Sequence, residues 1–325
     1  VIKIKKGLDI NLKGKASDVL LNGGKSESYA IVPDYYNGIL PKVVAKVGEK
    51  VKAGSVLMID KNRPEIKFVS PVSGEVTAVN RGEKRKVLSI VVKPDAQIEY
   101  EEFGKKNVAS LQGAEVKEVL LNAGMWPFIK QRPYDIVAAP LDTPRDIFVS
   151  AFYSAPLAPN FDFIVKGQEA DFQTGLNALA KLTNGKVYVG VRSGSVVSGM
   201  KGVEIVEVEG PHPAANVGVQ INHIKPVNKG EVVWTVNPAD VIVIGRLFNK
   251  GVADFSRMVA ITGSETTERG YVKTISGCTI KSLVNGKVLG QEHIRIISGN
   301  VLTGTKVNMD GYLGAYDNQI TVIPE

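Results

Sequence analysis

The sequence is poor in the residues that bind metals, form disulfides or carry out catalysis. Its 325 residues include a single cysteine, Cys278, and only three histidines. One thiol excludes an intrachain disulfide, a cysteine-ligated iron–sulfur cluster and a Cys-x-x-Cys redox pair within this sequence. Three histidines argue against a histidine-rich metal site. A Ser/His/Asp triad, paired carboxylates and a His-Glu-x-x-His motif are also missing, so we predict no metal ligands and no catalytic residues.

Long apolar runs are absent as well. No stretch approaches the ~18 consecutive apolar residues of a membrane-spanning helix. Val1 to Lys6 alternate apolar and basic side chains and lack the apolar core of a signal peptide. Hydrophobic residues make up 44% of the chain and charged residues 22%, as in ordinary soluble proteins. We therefore expect a cytoplasmic chain of two or three domains.

Positive charge outweighs negative charge. The formal net charge is +7 and the pI is about 9.2, which suits nucleic acid, an anionic membrane face or an acidic protein partner. The densest basic clusters, Lys3–Lys6 and Arg81–Lys86, lack the interleaved aromatic residues on which single-strand binders stack bases. We expect no nucleic-acid partner, whereas docking on a membrane complex fits the charge.

The pattern of strands and turns divides the chain into three parts. Residues 1–104 read as short strands and turns, including the Gly- and Pro-broken strands of Val47–Val79. Residues 105–251 alternate strands and helices, and residues 252–325 return to strands around one helix. The predicted fold class is α+β multidomain: a biotinyl/lipoyl-carrier-like β-sandwich, a Rossmann-like α/β domain and a β-grasp domain.

The middle part carries the clearest local signals. The apolar run Asp146–Phe152 is typical of a buried parallel strand, and helices are predicted at Asp171–Leu182 and Pro238–Phe248. Strand–helix–strand–strand in this order favours a doubly wound layer. A G-x-G-x-x-G turn is missing, so the sequence indicates no dinucleotide site.

The first part contains a possible carrier lysine. Asp60-Lys61 lies near the hairpin position at which lipoyl carriers present their modified lysine. The tip then continues through Asn62–Glu65 and is longer than a carrier's, and the Met-Lys-Met of biotin carriers is absent. We favour the interpretation that Lys61 is a solvated turn lysine.

The order of the three domains and several short motifs resemble known proteins. This order occurs in the flavin-bearing subunit of complex I, the C subunit of the Rnf complex and the NqrA family of the Na+-translocating NADH:quinone reductases. The sequence is most similar to the third family along its whole length, through the motifs Ile2–Asp9, Asp60–Phe68, Pro71–Gly74, Gly124–Phe128, Gly210–Ala214, Asp240–Phe248 and Gly311–Gly314. Family members continue past the position of Glu325, so the resemblance implies a chain truncated at its C-terminus.

The resemblance implies an electron-transfer fold without its cofactor sites. In the flavin-bearing relatives, a Gly-rich turn lets the FMN phosphate reach backbone N–H groups at a helix N-terminus. At the matching turn here, Trp126 and Phe128 replace small residues, and Pro127 has no N–H to donate. The cysteine motifs of the Rnf relative are also missing. We expect this chain to bind neither FMN nor an iron–sulfur cluster.

The resemblance also implies quinone binding, for which four residues are candidates. Trp126 and Phe128 with nearby Arg132 would offer an aromatic wall and a cation. His212 follows a predicted strand end, where ligands of α/β proteins bind, and histidine can give a proton to a reduced quinone. The competing interpretation is that Trp126 and Phe128 fill the former flavin cavity, His212 bonds within its own loop and Arg132 lies at the surface.

The family resemblance predicts a peripheral subunit on the cytoplasmic side of the inner membrane. Its complex would couple NADH oxidation and quinone reduction to Na+ export, and its partners would be the other subunits and quinone. This chain alone would have no catalytic activity. Two alternatives stay open: a lipoyl- or biotin-carrier module fused to a ligand-binding domain, and a stand-alone protein that binds a small ligand.

Overall fold

The N-terminal part contains two small sheets that share one core. The structure, a computed structural model, describes residues 1–290 and 292–325. The sheets have the orders β2-β8-β7-β4 and β3-β5-β6. Gly74 begins β7 with φ +155°, and a Cβ at this position would overlap the carbonyl oxygen of Lys93, so the turn requires glycine. The strands are β2 (Tyr29–Ile31), β3 (Pro41–Val43), β4 (Lys50–Val51), β5 (Val56–Asp60), β6 (Lys67–Val69), β7 (Gly74–Arg81) and β8 (Val87–Pro94).

The middle part is built on a seven-stranded sheet of order β1-β13-β12-β11-β14-β9-β10. The first five strands in this order run parallel, and β9 and β10 add an antiparallel edge. None of the described helices has the length and apolarity needed to cross a bilayer. The elements are β1 (Ile2–Lys3), α1 (Gly113–Asn122), β9 (Lys130–Arg132), β10 (Ile136–Val137), β11 (Ile147–Ser150), α2 (Phe161–Val165), α3 (Glu169–Ala180), β12 (Val187–Val191), β13 (Glu204–Glu209), α4 (Val217–Ile224), β14 (Val233–Thr235) and α5 (Pro238–Lys250).

Helices cover both faces of this sheet. Alternate residues of β11 point to opposite sides: Phe148 packs with Ile221 of α4, whereas Ile147 and Val149 belong to the core that also contains α3 and α5. A Cβ on Gly245 of α5 would overlap the carbonyl oxygen of Asp171 in α3. The backbones of these two helices are therefore in direct contact at this point. The buried strand and the two helices that the sequence predicts in this part are present, with ends shifted by about two residues.

The first strand joins the middle sheet, although the predicted division places it with the β domain. Ile2 lies opposite Val208 of β13 in a parallel pair, and Ile4 is buried against Phe152. A parallel pair whose partners are two hundred positions apart leaves no local signal in the sequence, which explains the difference.

The C-terminal part is a five-stranded sheet with one short helix, as a β-grasp requires. Its strand order is β16-β15-β19-β17-β18. The N-terminal segment borders it, since Leu21 N donates to the Tyr271 carbonyl (2.8 Å) and Tyr271 N donates to Val19 (2.8 Å). The elements are β15 (Ser256–Thr262), β16 (Gly270–Ile275), α6 (Ile280–Val284), β17 (Ile294–Ser298), β18 (Thr305–Val307) and β19 (Gln319–Pro324).

A buried ion pair joins the middle and C-terminal parts. Arg257 of β15 donates from Nη2 to Oδ1 of Asp240 in the first turn of α5 (3.0 Å), and both side chains are at most 2% exposed. Arg257 also donates to Ser276 Oγ (2.7 Å) and to Asn318 Oδ1 (3.4 Å). Burial raises the pKa of the Asp240 carboxyl, against the lowering effect of the adjacent guanidinium.

We predict that Arg257→Met destabilises the chain strongly. Removing the guanidinium leaves Asp240 as a buried carboxylate without its counter-ion, which costs about 3–5 kcal/mol in the free energy of unfolding. Urea unfolding at neutral pH measures this loss. The control is Arg295→Met, which breaks the exposed pair of Arg295 with Glu325 (2.9 Å) and should change the midpoint far less. Equal losses in the two variants would contradict the importance of the buried pair.

Candidate functional site

A cavity of about 420 Å³ lies at the carboxyl ends of β11 and β12. Its lining comes from residues 151–162, which follow β11, from Arg192 and Ser195 beyond β12, and from residues 9–12 and Lys15 of the N-terminal segment. The sheet order reverses around β11, since β12 and β13 lie on one side of it and β14 on the other. Ligands of doubly wound proteins bind at such a position, and the volume falls within the roughly 300–1,000 Å³ of ligand pockets.

The walls of this strand-end cavity combine apolar rings with fixed polar groups. The Arg192 guanidinium lies 4.5 Å from the centre of the Phe152 ring and donates to the carbonyls of Val208 (3.2 Å) and Gly210 (2.8 Å). Ser195 donates to Asp162 (2.7 Å). Further apolar lining comes from Tyr153, Leu157 and Phe161. The cavity therefore suits a flat molecule whose ring lies against the apolar residues and whose hydrogen-bonding atoms meet the polar lining.

His212 borders the cavity through two of its lining residues. Its Nδ1 lies 3.0 Å from Ser154 Oγ, and its backbone N donates to Oδ1 of Asp9 (2.8 Å). Ser154 Oγ also accepts from Ala215 N (3.0 Å), so its own proton is free for a ligand or for the imidazole. Ser154 and His212 therefore share a hydrogen bond beside the cavity wall. The tautomer of the imidazole decides which of the two side chains donates in it.

The other three predicted site residues lie elsewhere. Trp126 is fully buried, donates from Nε1 to the Ala138 carbonyl (2.8 Å) and packs edge-on against Trp234. Phe128 is 6% exposed and lines a separate cavity of only about 50 Å³. Arg132, on β9, forms an ion pair with Asp135 (3.2 Å). Of the four candidates, the structure places only His212 beside the strand-end cavity.

Three protein-family models match this chain, one for each of its three parts. Residues 2–95 match the NqrA N-terminal barrel-sandwich hybrid domain, residues 111–253 the NqrA second alpha/beta domain and residues 258–309 the NQRA C-terminal domain. The NqrA subunit of the Na(+)-translocating NADH-quinone reductase from Neisseria meningitidis serogroup A is 36% identical over the whole chain, which spans 74% of that relative. The chain belongs to the NqrA family. The corresponding protein from Yersinia pseudotuberculosis serotype I has the same identity and coverage.

Family membership and fold class are therefore confirmed. The matched domains and the three-part arrangement of sheets agree with the predicted β-sandwich, α/β and β-grasp architecture. Among solved structures, an NAD+-reducing [NiFe]-hydrogenase in the air-oxidized state aligns with 70% of this NqrA-family chain and 52% of its own, at 10% identity and a TM-score of 0.42. That similarity is too weak to support a functional conclusion.

Ser154 and Arg192 are cavity residues that the sequence alone did not reveal. Each follows the end of a parallel strand of this NqrA-family chain, Ser154 four residues after β11 and Arg192 directly after β12. Applying the strand-end rule to every predicted strand, rather than to His212 alone, would have selected both.

The hairpin that resembles a lipoyl carrier is held against the middle part. Arg63 at its tip donates to Asp60 (2.7 Å), to the carbonyl of Gly38 (2.9 Å) and to the carbonyl of Val137 in β10 (3.1 Å). Lys61 is exposed, and its backbone N donates to the Leu40 carbonyl (2.7 Å). A tip fixed in this way differs from the free turn on which a swinging arm depends.

We predict that Lys61 carries no lipoyl or biotinyl group. The anchored tip and its length give attachment enzymes a different hairpin from the one they recognise. Intact-mass analysis of the protein from its native cells should give the unmodified mass, while an authentic carrier domain from the same cells should show its adduct. An adduct on Lys61 would restore the carrier hypothesis.

Proposed function

We propose that this chain is the NqrA component of a Na+-translocating NADH:quinone oxidoreductase. In that complex, NADH oxidation and quinone reduction are coupled to Na+ export, and this chain contributes without independent catalysis. The proposal is supported by the 36% identity over the full chain with proteins named as this component. Its partners are the other subunits, and its place is peripheral, on the cytoplasmic side of the membrane. The basic pI of about 9.2 suits a surface beside anionic lipids.

We further propose that the strand-end cavity binds the quinone head group. The observation that carries this proposal is the Ser154–His212 pair beside a 420 Å³ cavity with the Phe152 ring in its wall. A benzoquinone or naphthoquinone is flat and apolar, and its two carbonyl oxygens accept hydrogen bonds. Ser154 Oγ can donate to one carbonyl while His212 donates to Ser154, so a proton can pass from the imidazole to a reduced quinone oxygen.

His212→Ala should weaken quinone binding about two- to tenfold. The variant removes the hydrogen-bond partner that orients the Ser154 hydroxyl, so a net hydrogen bond to the quinone worth about 0.5–1.5 kcal/mol is lost. Isothermal titration with a soluble short-chain quinone measures the affinity. His223→Ala is the matched control, because His223 is exposed on α4 and bonds the Val219 carbonyl of its own helix.

Arg132→Ala provides a second comparison, since the structure puts this residue on β9 beside Asp135 and it should bind quinone as the wild type does. Absence of saturable binding by the wild type, or equal affinity of the wild type and His212→Ala, would remove quinone from this cavity. The proposal that the chain belongs to the complex would then stand, with the chain acting as a scaffold.

We also propose that the chain holds no FMN. Gly124 has φ +69°, and a Cβ there would press on the Val69 side chain. The next residues form a short 3-10 turn, in which Trp126, Pro127 and Phe128 are all buried. A phosphate at this turn would meet packed rings in place of bare backbone.

The gently purified chain should accordingly be colourless. Flavin absorbance, and FMN released after acid precipitation, should both be at background, while flavodoxin carried through the same procedure should give a stoichiometric signal. Stoichiometric FMN in this chain would mean that the flavin contacts lie away from the Gly124–Phe128 turn.

A further inference from the structure

The N-terminal segment presents an apolar strip at the surface. Every residue from Lys5 to Lys13 is exposed. Leu8 is 71% exposed, Ile10 42% and Leu12 39%, and the last two also line the strand-end cavity. Single exposed leucines are common, whereas three apolar residues at alternate positions beside a cavity indicate an interaction surface. We call residues 5–15 the N-terminal strap.

Positive charge flanks this apolar strip on both sides. Lys5 and Lys6 precede it, and Lys13 and Lys15 follow it. Within the part of the chain that the structure describes, none of these four lysines forms an ion pair. Asp9 is the only acidic residue of the strap, and its carboxylate accepts from His212 N (2.8 Å). The strap therefore offers uncompensated lysines at both ends.

The strap is held in place by backbone contacts. Leu8 N donates to the His212 carbonyl (2.9 Å), and Gly263 N donates to the Gly14 carbonyl (2.8 Å). A Cβ on Gly7 would overlap the His212 carbonyl oxygen, so the strap lies directly on the loop after β13. Because its backbone is already ordered, docking this surface carries little additional cost in conformational entropy.

We propose that the N-terminal strap seats on an anionic lipid surface and turns the strand-end cavity towards the bilayer. Apolar side chains that enter the headgroup region between lysines are the pattern of interfacial membrane binding. Each lysine near an anionic leaflet strengthens partitioning about fivefold. Acidic phospholipid is the occupant that satisfies both the exposed leucines and the four unpaired lysines. The inference does not require quinone binding, and its test contains no quinone, so the two proposals can fail separately.

Co-sedimentation with vesicles tests the proposal. The wild-type chain should bind phosphatidylcholine vesicles that contain phosphatidylglycerol and should bind pure phosphatidylcholine vesicles much more weakly. Lys5→Gln/Lys6→Gln should weaken binding about twenty-fivefold, fivefold for each lysine. Leu8→Ser/Leu12→Ser should weaken it about tenfold, because two side chains no longer enter the headgroup region. Unfolding midpoints check that both double variants are folded.

Residues outside the strap supply matched controls: the basic hairpin tip between β7 and β8 for charge, and Leu88 of β8 with Leu302 beyond β17 for exposed apolar area. Lys84→Gln/Arg85→Gln removes the same charge as the strap variant, and Leu88→Ser/Leu302→Ser replaces two leucines that are 43% and 47% exposed. Both controls should stay within about threefold of the wild type, the range left to long-range charge. The proposal is overturned if the wild type does not bind anionic vesicles, which would leave the strap as a protein-binding surface. It is equally overturned if the wild type binds neutral vesicles as tightly, or if the strap variants bind like the controls.

Discussion

The ion pair of Asp240 and Arg257 is the contact on which the arrangement of the site depends. Arg257 belongs to β15 of the C-terminal sheet and Asp240 to the start of α5, so the pair fixes one unit on the other. Asn318, which accepts from Arg257, donates in turn to the Tyr153 hydroxyl (3.1 Å). Tyr153 lines the strand-end cavity. A charge pair buried outside the cavity therefore sets the position of one of its walls.

A second contact also ties the cavity lining to the C-terminal sheet. Gln319 at the start of β19 donates to the Pro156 carbonyl (3.2 Å), which lies in the loop after β11. The loop that forms most of the cavity lining is thus held by the C-terminal sheet as well as by the middle part, where Ser154 accepts from Ala215 N. The β-grasp part of this chain is consequently a support for the strand-end cavity, through hydrogen bonds between chain segments far apart in sequence.

The sequence was sufficient to predict helices and strands that have a strong local pattern. It was insufficient to predict contacts between residues that lie far apart in the chain. The strand Ile147–Ser150 could be predicted from its apolar run, and α3 and α5 from the helical spacing of their apolar residues, because these patterns are local in the sequence. Trp126 shows the limit. An aromatic residue in a turn has the same sequence signature whether it lines a pocket or fills a core, and its burial depends on Trp234, more than a hundred positions later. The pairing of Ser154 with His212 is likewise invisible in the sequence, because the two residues are 58 positions apart and meet only in the fold.

The path of the first thirty residues has a consequence for how the molecule is made. This segment pairs with β13 through Ile2, touches β16 through Leu21 and enters the β domain at Tyr29. The strands that receive Ile2 and Leu21 are synthesised about two hundred residues or more after them, whereas β8, which receives Tyr29, follows after only about sixty residues. Docking of the stretch from Ile2 to Leu21 must therefore wait until β13 and β16 have been synthesised, well after the β domain itself is complete. Until then, the exposed leucines and lysines of the strap are undocked and within reach of chaperones and proteases.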